Sequence, residues 1–282
     1  MGSCQIHCLS IFCMMSFLKQ LFSTPEPTLK YYLTVCVIVK DEDPYLAEFI
    51  NFHLKAGVEH FYIYDNQSKV RARDVIQKAG LLEHVTVTDF PGKNRLVKSY
   101  DHCLKHYGAY SKWISFLDMD EFIVAKSTQG NIPVFLKDYE NYGAVVINWQ
   151  LFGSGHHLKR TNRPQMESYT LKAEEDFNVN RHIKSIVQPR YVKEAANAHH
   201  FKYKKGYFAV NENFEPVQGS QADVSINKIQ INHYYCRSFE EYEEKVNRGR
   251  ADSSRKRSME EFHNHDRDAN VVTDTTILEI FK

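Results

Sequence analysis

The sequence predicts an α/β fold with a Rossmann-like, mostly parallel central sheet flanked by helices. Two observations carry the prediction. In the first half of the chain, β-prone runs alternate with helical segments, and strands separated by helices of about ten to fifteen residues are typical of right-handed βαβ units. The runs are also almost unbroken in hydrophobicity, as in "YLTVCVIVK" at 32–40, which is the pattern of a strand covered on both faces.

The elements follow in order from this first strand. Asp43 and Pro44 provide a cap and a first-turn proline for a helix that Gly57 ends. The next predicted segments are a strand at 60–68, a helix at 70–79, a strand at 83–90, a helix at 94–107 and a strand beginning at 113. In the second half we predict strands in "YGAVVINWQLFGSGHH" and "NKIQINHYYCRS", then a helix in "SFEEYEEKVNRG". Ser238 and Glu241 form a capping box at the start of that helix.

Composition limits the partners and the compartment. The chain has 36 Lys and Arg against 35 Asp and Glu, so no overall field attracts nucleic acid. The cysteines show no zinc-type spacing and read as reduced, buried thiols, which predicts a cytoplasmic protein. An apolar stretch at 8–18 is too short to span a bilayer. It is compatible with weak, peripheral membrane association.

Acidic residues follow four of the predicted strands. They lie in "KDED" at 40–43, "YDNQS" at 64–68, "DF" at 89–90 and "DMDE" at 118–121. Ligands of open α/β sheets bind at the carboxyl ends of the strands, so these acids are predicted to line one crevice. No GxGxxG follows the first strand and no GxxxxGK[ST] occurs, so the sequence does not predict a glycine-rich phosphate loop.

Asp118 and Asp120 are the strongest candidates for chemistry. Two carboxylates at i and i+2 leave a strand on the same side, where they can share a hard divalent cation and a substrate phosphate. The alternative is that they cap a turn and face solvent. Their position after an apolar strand favours the metal site.

Five ordered motifs resemble glycosyltransferase family 92 and related family-2-like enzymes. They are "VIVKDEDPYLAEFINFHLKAGVEHFYIYDNQS", "WISFLDMDEFIV", "NWQLFGSGH", "HIKSIVQP" and "INHYYCRSFEEYEEKVNRGRAD". The resemblance implies a GT-A fold, a Mn²⁺ or Mg²⁺ cofactor and inverting sugar transfer from a nucleoside-diphosphate sugar, such as a UDP-sugar, to a glycan or lipid-linked acceptor. It implies one domain at 31–250, with a nucleotide-sugar half at 31–125 and an acceptor half at 126–250. Residues 1–30 are then an extension or linker, and 251–282 a charged tail or lid.

The resemblance also implies roles for individual residues on the donor side. Asp118, Asp120 and His233 resemble metal ligands, although His233 also reads as a hydrogen-bonded strand histidine. Lys40, Asp41 and Asp65 resemble nucleotide contacts. Two cations, Lys184 and Arg248, could meet diphosphate oxygens or be solvated surface charges.

On the acceptor side, Trp149, Phe152 and His156 resemble sugar contacts, with core packing as the alternative for Trp149. Inversion needs a base for the acceptor hydroxyl. The candidates are Glu121, counted with Asp118 and Asp120 among the catalytic residues, and the acidic run at 174–176. The spacing does not choose among them.

Two other classes of function fit the acids. A metal-dependent nucleotidyltransferase or phosphodiesterase would normally gather further acids for a second metal. A non-catalytic glycan- or nucleotide-binding protein would bind a sugar nucleotide without turnover.

Overall fold

The computed structural model describes residues 29–249 and 257–282. Its strands are β1 (Tyr31–Val39), β2 (His60–Asp65), β3 (Val85–Asp89), β4 (Ser111–Phe116), β5 (Glu121–Val124), β6 (Ala144–Leu151), β7 (Leu171–Lys172), β8 (Ile183–Val187), β9 (Val192–Ala195), β10 (Phe201–Tyr203), β11 (Ala209–Val210), β12 (Pro216–Val217), β13 (Gln230–His233) and β14 (Val272–Thr273). Its α-helices are α1 (Leu46–Lys55), α2 (Ala72–Lys78), α3 (Leu96–Tyr107), α4 (Ile132–Leu136), α5 (Gln165–Ser168), α6 (Phe239–Arg248), α7 (Met259–Asp268) and α8 (Thr276–Ile280).

The central sheet has the strand order β12, β11, β6, β8, β4, β1, β2, β3. The pairings of β1 with β2, β1 with β4 and β2 with β3 are parallel. The strand β8 runs antiparallel to both of its neighbours, β4 and β6. The predicted α/β class with a mostly parallel central sheet flanked by helices is therefore confirmed.

Hydrophobic cores cover both faces of the sheet. Along β1, Val35 and Val37 belong to the core on the α1 side, whereas Cys36 and Ile38 belong to the core on the α3 side. Alternate residues of a strand point to opposite faces, so a strand buried on both sides must be apolar at every position. This is why the first strand reads as an unbroken hydrophobic run.

The first helix ends where the sequence predicts but begins later. Asp43 and Pro44 lie in a turn, and α1 begins at Leu46 without a side-chain cap. Gly57 follows the helix with a φ of 97°, a conformation that L side chains rarely adopt. A Cβ at Gly57 would also lie 2.6 Å from Cδ of Pro133, so two independent constraints require glycine there.

The strands β5 and β13 bring the end of β4 close to α6. In the antiparallel pair of β13 with β5, His233 lies opposite Glu121, and β13 also pairs in parallel with β6. The helix α6 starts six residues after β13, with the predicted capping box of Ser238 and Glu241 in place. This packing carries residues from the last quarter of the chain to the acids of "DMDE".

The described part of the C-terminal segment packs on the domain, contrary to the prediction of a tail or lid at 251–282. Phe262 of α7 is buried, and β14 pairs with β7. Ile277 of α8 belongs to the main core. The segment is so rich in charged residues that its few, widely spaced apolar residues did not predict packing. These apolar residues are enough to hold short elements on the domain. Residues 250–256 lie outside the described residues.

The described residues test the prediction about the cysteines only in part, and the one about the apolar N-terminal stretch not at all. Cys36, Cys103 and Cys236 are free and buried, as expected, while Cys4, Cys8 and Cys13 lie outside the described residues. The apolar stretch at 8–18 lies outside them as well. In 29–249 and 257–282, the structure contains no helix with the length and hydrophobicity needed to cross a bilayer.

Candidate functional site

Asp118 and Asp120 lie in the short connection between β4 and β5, at the carboxyl end of β4. The backbone N–H of Glu121 donates to the carbonyl oxygen of Asp118 over 3.1 Å and closes this turn. The side chain of Asp118 is 35% exposed and that of Asp120 14% exposed. Both carboxylates therefore reach the surface at the sheet edge where ligands of such folds bind.

Lys184 of β8 is the cation beside Asp118. Its Nζ lies 2.8 Å from Oδ2 of Asp118 and 3.3 Å from Oε2 of Glu121. Burial alone would lower the pKa of Lys184, but the charges of Asp118 and Glu121 outweigh it and raise the pKa well above its usual value. The predicted contact of Lys184 with a diphosphate stays a prediction, whereas the alternative of a solvated surface charge is wrong because the side chain is buried.

Glu121 does not have the position of a catalytic residue. Its side chain is fully buried, and Oε2 accepts a 2.8 Å hydrogen bond from the backbone N–H of Asp118. Burial raises the pKa of Glu121 well above its usual value, although Lys184 opposes the shift. We therefore correct the prediction: Glu121 positions the turn that carries Asp118, and its carboxyl group does not meet an acceptor.

Asp120 is held by two side chains of the second half. Its Oδ2 lies 2.6 Å from Nζ of Lys245 on α6, and its Oδ1 lies 3.5 Å from Nε2 of His233. Burial alone would raise the pKa of Asp120, but Lys245 and then His233 outweigh it and hold the pKa well below its usual value. Burial lowers the pKa of His233, against the effect of Asp120, which favours the neutral imidazole.

A second group of ion pairs lies beside Asp120. Glu42 accepts from Arg237 over 2.9 Å and from Arg248 over 2.6 Å. The guanidinium of Arg237 lies 3.9 Å from the ring centroid of Tyr45, and its Nη2 is buried without a hydrogen-bond partner among the described residues. Burial alone would raise the pKa of Glu42, but Arg237 and then Arg248 outweigh it and hold the pKa below its usual value.

Together these residues form what we call the charge cluster: Glu42, Asp118, Asp120, Glu121, Lys184, His233, Arg237, Lys245 and Arg248. The cluster has four cationic side chains, Lys184, Arg237, Lys245 and Arg248, and four acidic ones. The buried guanidinium group of Arg237, one nitrogen of which has no hydrogen-bond partner among the described residues, favours an anionic ligand. The alternative prediction for Arg248, a solvated surface charge, is wrong because both ends of its guanidinium have protein partners.

The predicted metal ligands have suitable chemistry but are not assembled. In residues 29–249 and 257–282, no three His, Cys, Asp or Glu side chains lie close enough together to hold a metal ion. Asp118 and Asp120 each give Oδ2 to a lysine, which leaves Oδ1 of each and the imidazole of His233 for a cation. Carboxylate oxygen and imidazole nitrogen suit Mn²⁺, and carboxylate oxygen suits Mg²⁺. The metal role stays a prediction.

The acids at the first two strand ends hold the backbone of neighbouring loops. Asp65 is buried, and its two carboxylate oxygens accept backbone N–H groups of Ser68 and Ala72, each over 2.9 Å. Asp41 accepts the N–H of Lys69 over 2.7 Å. Both carboxylate oxygens of Asp65 are thus hydrogen-bonded to backbone N–H groups, so the prediction that Asp65 contacts the nucleotide base is wrong. The half-buried Lys40 and Asp41 stay predicted nucleotide contacts.

Two of the three predicted acceptor residues, Trp149 and Phe152, belong to the main core, which supports the core-packing alternative for Trp149. Phe152 is fully buried in the main core, so the prediction that it contacts a sugar is wrong. Trp149 is 9% exposed, and its ring lies 4.2 Å from that of His233. Its Nε1 is buried without a partner among the described residues. His156 is exposed on the loop after β6, and its role stays a prediction.

The general base remains unassigned. Glu174, Glu175 and Asp176 are exposed on the loop before β8. Exposure leaves all three free to meet an acceptor, and nothing in their placement selects one of them.

Sequence reasoning missed three members of the charge cluster, namely Glu42, Arg237 and Lys245. One signal was available for the lysine. On an amphipathic helix, Lys245 lies three residues after the buried Tyr242 and four after the buried Glu241, so it belongs to the face that packs against the domain. A lysine on a buried helix face requires an anionic or hydrogen-bonding partner.

Comparison with known proteins assigns the chain to a family. The family model of glycosyltransferase family 92 matches residues 31–277. A family 92 protein of Ricinus communis is 28% identical over 248 residues, which cover 81% of this chain and 40% of that protein. A family 92 protein of Oryza sativa subsp. japonica is 26% identical over 238 residues, covering 78% of this chain and 38% of that protein. The chain thus spans about two fifths of the length of these curated relatives.

Solved structures are similar only at a low level. The galactosyltransferase LgtC, in complex with donor and acceptor sugar analogs, has a TM-score of 0.29 at 14% identity, covering 56% of this chain and 58% of that chain. At this TM-score the likeness carries no argument. The match of the family model is different, since it extends from β1 to α8 and includes every residue of the charge cluster. The chain belongs to glycosyltransferase family 92.

Proposed function

We propose that the chain is the glycosyltransferase domain of an inverting enzyme. It would transfer a sugar from a nucleoside-diphosphate sugar, such as a UDP-sugar, to a glycan or lipid-linked acceptor. The observation that carries the proposal is the charge cluster at the carboxyl end of β4, in a chain of glycosyltransferase family 92. Carboxylates for a cation, and ammonium and guanidinium groups for a diphosphate, meet at one edge of the sheet.

The cationic residues would bind and stabilise the leaving group. Arg237 has an unpaired, buried N–H, and Arg248 and Lys245 lie on the adjacent helix. Fixed cations at the position where negative charge develops lower the barrier because they need no reorganisation during the reaction. A guanidinium group also matches phosphate geometry with two parallel hydrogen bonds.

Asp118, Asp120 and His233 would hold the divalent ion. When bound, Mn²⁺ or Mg²⁺ supplies Lewis-acid stabilisation of the diphosphate. The chain's own part is to orient these ligands: Glu121 fixes the backbone of Asp118, and Lys184 and Lys245 fix one oxygen of each carboxylate. Trp149, packed against His233 with an unpaired indole N–H, would donate to a sugar hydroxyl beside the metal site.

The test is a donor screen by thermal shift with UDP-, GDP- and dTDP-sugars, each with and without Mn²⁺. A ligand that binds only the folded state raises the melting temperature, so we expect one nucleotide class to do so, and more strongly with Mn²⁺. Removing Asp120 alone would leave Lys245 buried and unpaired, which costs about 3–5 kcal/mol. The informative variant is therefore the double change Asp120→Asn with Lys245→Met, which removes both charges together.

The double variant should keep its fold by circular dichroism and lose the metal-dependent shift. The matched control is Asp268→Asn, which removes a carboxylate that is ion-paired with Arg267 on the surface. The control should behave as the unmodified protein does. A donor shift that survives unchanged in the double variant would contradict the proposed site. Donor binding without turnover against any acceptor would favour a non-catalytic binding protein.

A further inference from the structure

A second pocket lies away from the charge cluster, between β6, β10 and the hairpin of β11 and β12. Its volume is about 270 Å³. The residues that line it are Val146, His200, Phe201, Tyr203, Tyr207, Phe208, Ala209, Val217, Gln218 and Gly219. Drug-sized ligands usually occupy pockets of about 300–1,000 Å³, so this volume suits a ligand no larger than one sugar ring.

The register of the sheet places this pocket on the other face from Lys184. In the antiparallel pair of β6 and β8, Ile147 lies opposite Lys184, whereas Val146 lies opposite Ser185. Paired residues share a face and neighbours along a strand alternate. Val146, which lines the pocket, and Lys184, which holds Asp118, therefore point to opposite sides. A ligand in this pocket does not share the donor site.

Two adjacent aromatic side chains at the pocket are exposed. Tyr207 is 37% exposed and Phe208 43% exposed. The ring of Tyr207 stacks on the ring of Tyr191, with 3.6 Å between the centroids, and this fixes its position. The guanidinium of Arg190 lies 4.5 Å from the centroid of the Tyr191 ring. A rigid, exposed aromatic face loses little entropy when it receives a flat apolar ligand surface, such as the C–H face of a pyranose.

The pocket also offers uncharged polar groups. The hydroxyl of Tyr203 is buried, and burial raises its pKa although a hydrogen bond with Ser185 opposes the shift, so Tyr203 contributes its ring to the pocket wall. Nδ1 of His200 lies 3.2 Å from Oδ1 of Asn197, which leaves Nε2 as an acceptor. Gln218 adds an exposed amide. None of the described lining residues is Asp, Glu, Lys or Arg, so the pocket has nothing to pair with a charged ligand.

We propose that this pocket is a second carbohydrate site, which binds one neutral sugar ring of a glycan through the aromatic face of Tyr207 and Phe208, the imidazole of His200 and the amide of Gln218. Stacking would hold the apolar face of the ring, and the imidazole and amide would hold its hydroxyls. Because the site lies on the opposite face of the sheet, it would anchor a glycan chain at a point remote from the reacting sugar. Binding of the sugar does not depend on the proposed transferase activity, whereas the role of the site as a glycan anchor rests on that activity.

The experiment is saturation-transfer NMR and calorimetry with lactose as the neutral probe and glucuronate as the charged one. We expect lactose to bind and glucuronate to bind at least fivefold more weakly. Phe208→Ala should weaken lactose binding at least fivefold, and so should Gln218→Ala, an exposed second variant that leaves the aromatic surface intact. The double change of Asp120 and Lys245 should leave lactose binding unchanged, which separates this site from the charge cluster.

Phe214→Ala is the matched control. Its ring is 40% exposed, close to the value for Phe208, and stacks on Tyr139 outside the pocket. The control should retain the affinity for lactose. Absence of lactose binding to the unmodified chain would overturn the proposal. Equal loss in the Phe208 and Phe214 variants, or loss only in the double variant of the charge cluster, would overturn it too.

Discussion

Lys245 competes with any cation for Asp120, and its removal gives the sharpest prediction. The ammonium lies 2.6 Å from Oδ2 of Asp120 and 2.8 Å from the carbonyl oxygen of Tyr235, and the side chain is buried. A divalent ion on the other oxygen of this carboxylate would sit beside a positive charge. We expect Lys245→Met to bind Mn²⁺ more tightly than the unmodified chain does.

The size of the effect follows from the charges. Two unit charges 4 Å apart interact by about 1 kcal/mol in the dielectric of water. For a divalent ion this doubles to about 2 kcal/mol, which corresponds to roughly 30-fold in affinity. The value is a lower estimate, since the cluster is partly buried and screened less than bulk water would screen it. We therefore expect Lys245→Met to bind Mn²⁺ at least about 30-fold more tightly.

The assay is Mn²⁺ binding by electron paramagnetic resonance or calorimetry, with circular dichroism to establish that the variant is folded. Without metal the variant leaves Asp120 unpaired and should lose about 3–5 kcal/mol of stability, part of which saturating Mn²⁺ should restore. The control is Lys202→Met, which removes an exposed lysine paired with Glu194 over 2.7 Å. A folded Lys245→Met variant whose Mn²⁺ affinity is unchanged or weaker would refute the reasoning.

Three further predictions concern stability. Burial lowers the pKa of His53 to about 4. As the pH falls below 6.5, the imidazole is therefore protonated in the unfolded chain before it is protonated in the folded one. The stability that the neutral ring contributes is present above pH 6.5 and is lost toward pH 4. His53→Met should remove about 2 kcal/mol of that pH dependence, measured by urea unfolding at pH 4.5 and 7. An unchanged difference in stability between these two pH values in the variant would contradict the reasoning. Phe152→Ala should cost about 3–5 kcal/mol, while Phe214→Ala costs far less; equal values would restore a surface role for Phe152. Asp65→Ala should cost about 2–4 kcal/mol by leaving two buried N–H groups unpaired, and an unchanged denaturation midpoint would argue that the carboxylate faces a ligand after all.

Local patterns in the sequence were sufficient to predict the layers of the fold. The unbroken apolar run of β1 reflects burial on both faces, and the capping box of α6 satisfies helix N–H groups within one turn. Such signals involve residues only a few positions apart, so they can be recognised without knowledge of the tertiary structure. The start of α1 was placed too early because a proline and an acid also suit the turn that precedes a helix.

The candidate site was predicted less completely because its partners are distant in sequence. Lys245 and Asp120 are separated by 125 residues, and Arg237 and Glu42 by 195. Phe152 and Trp149 both lie on or beside β6 and both belong to the main core, yet only Trp149 also contacts His233. Side-chain environment at that level depends on which elements pack against the strand, and no local periodicity encodes it.

By itself, the sequence determined that strands alternate with helices, that acids follow the strands, and that Asp118 and Asp120 follow an apolar run. Only the tertiary structure decided which acids remain available, since Asp65 and Glu121 are used by backbone N–H groups while Asp118 and Asp120 meet buried lysines. The physical reason is that a buried charge must find its counter-charge or donor, and the fold chooses that partner from elements that the chain order keeps apart.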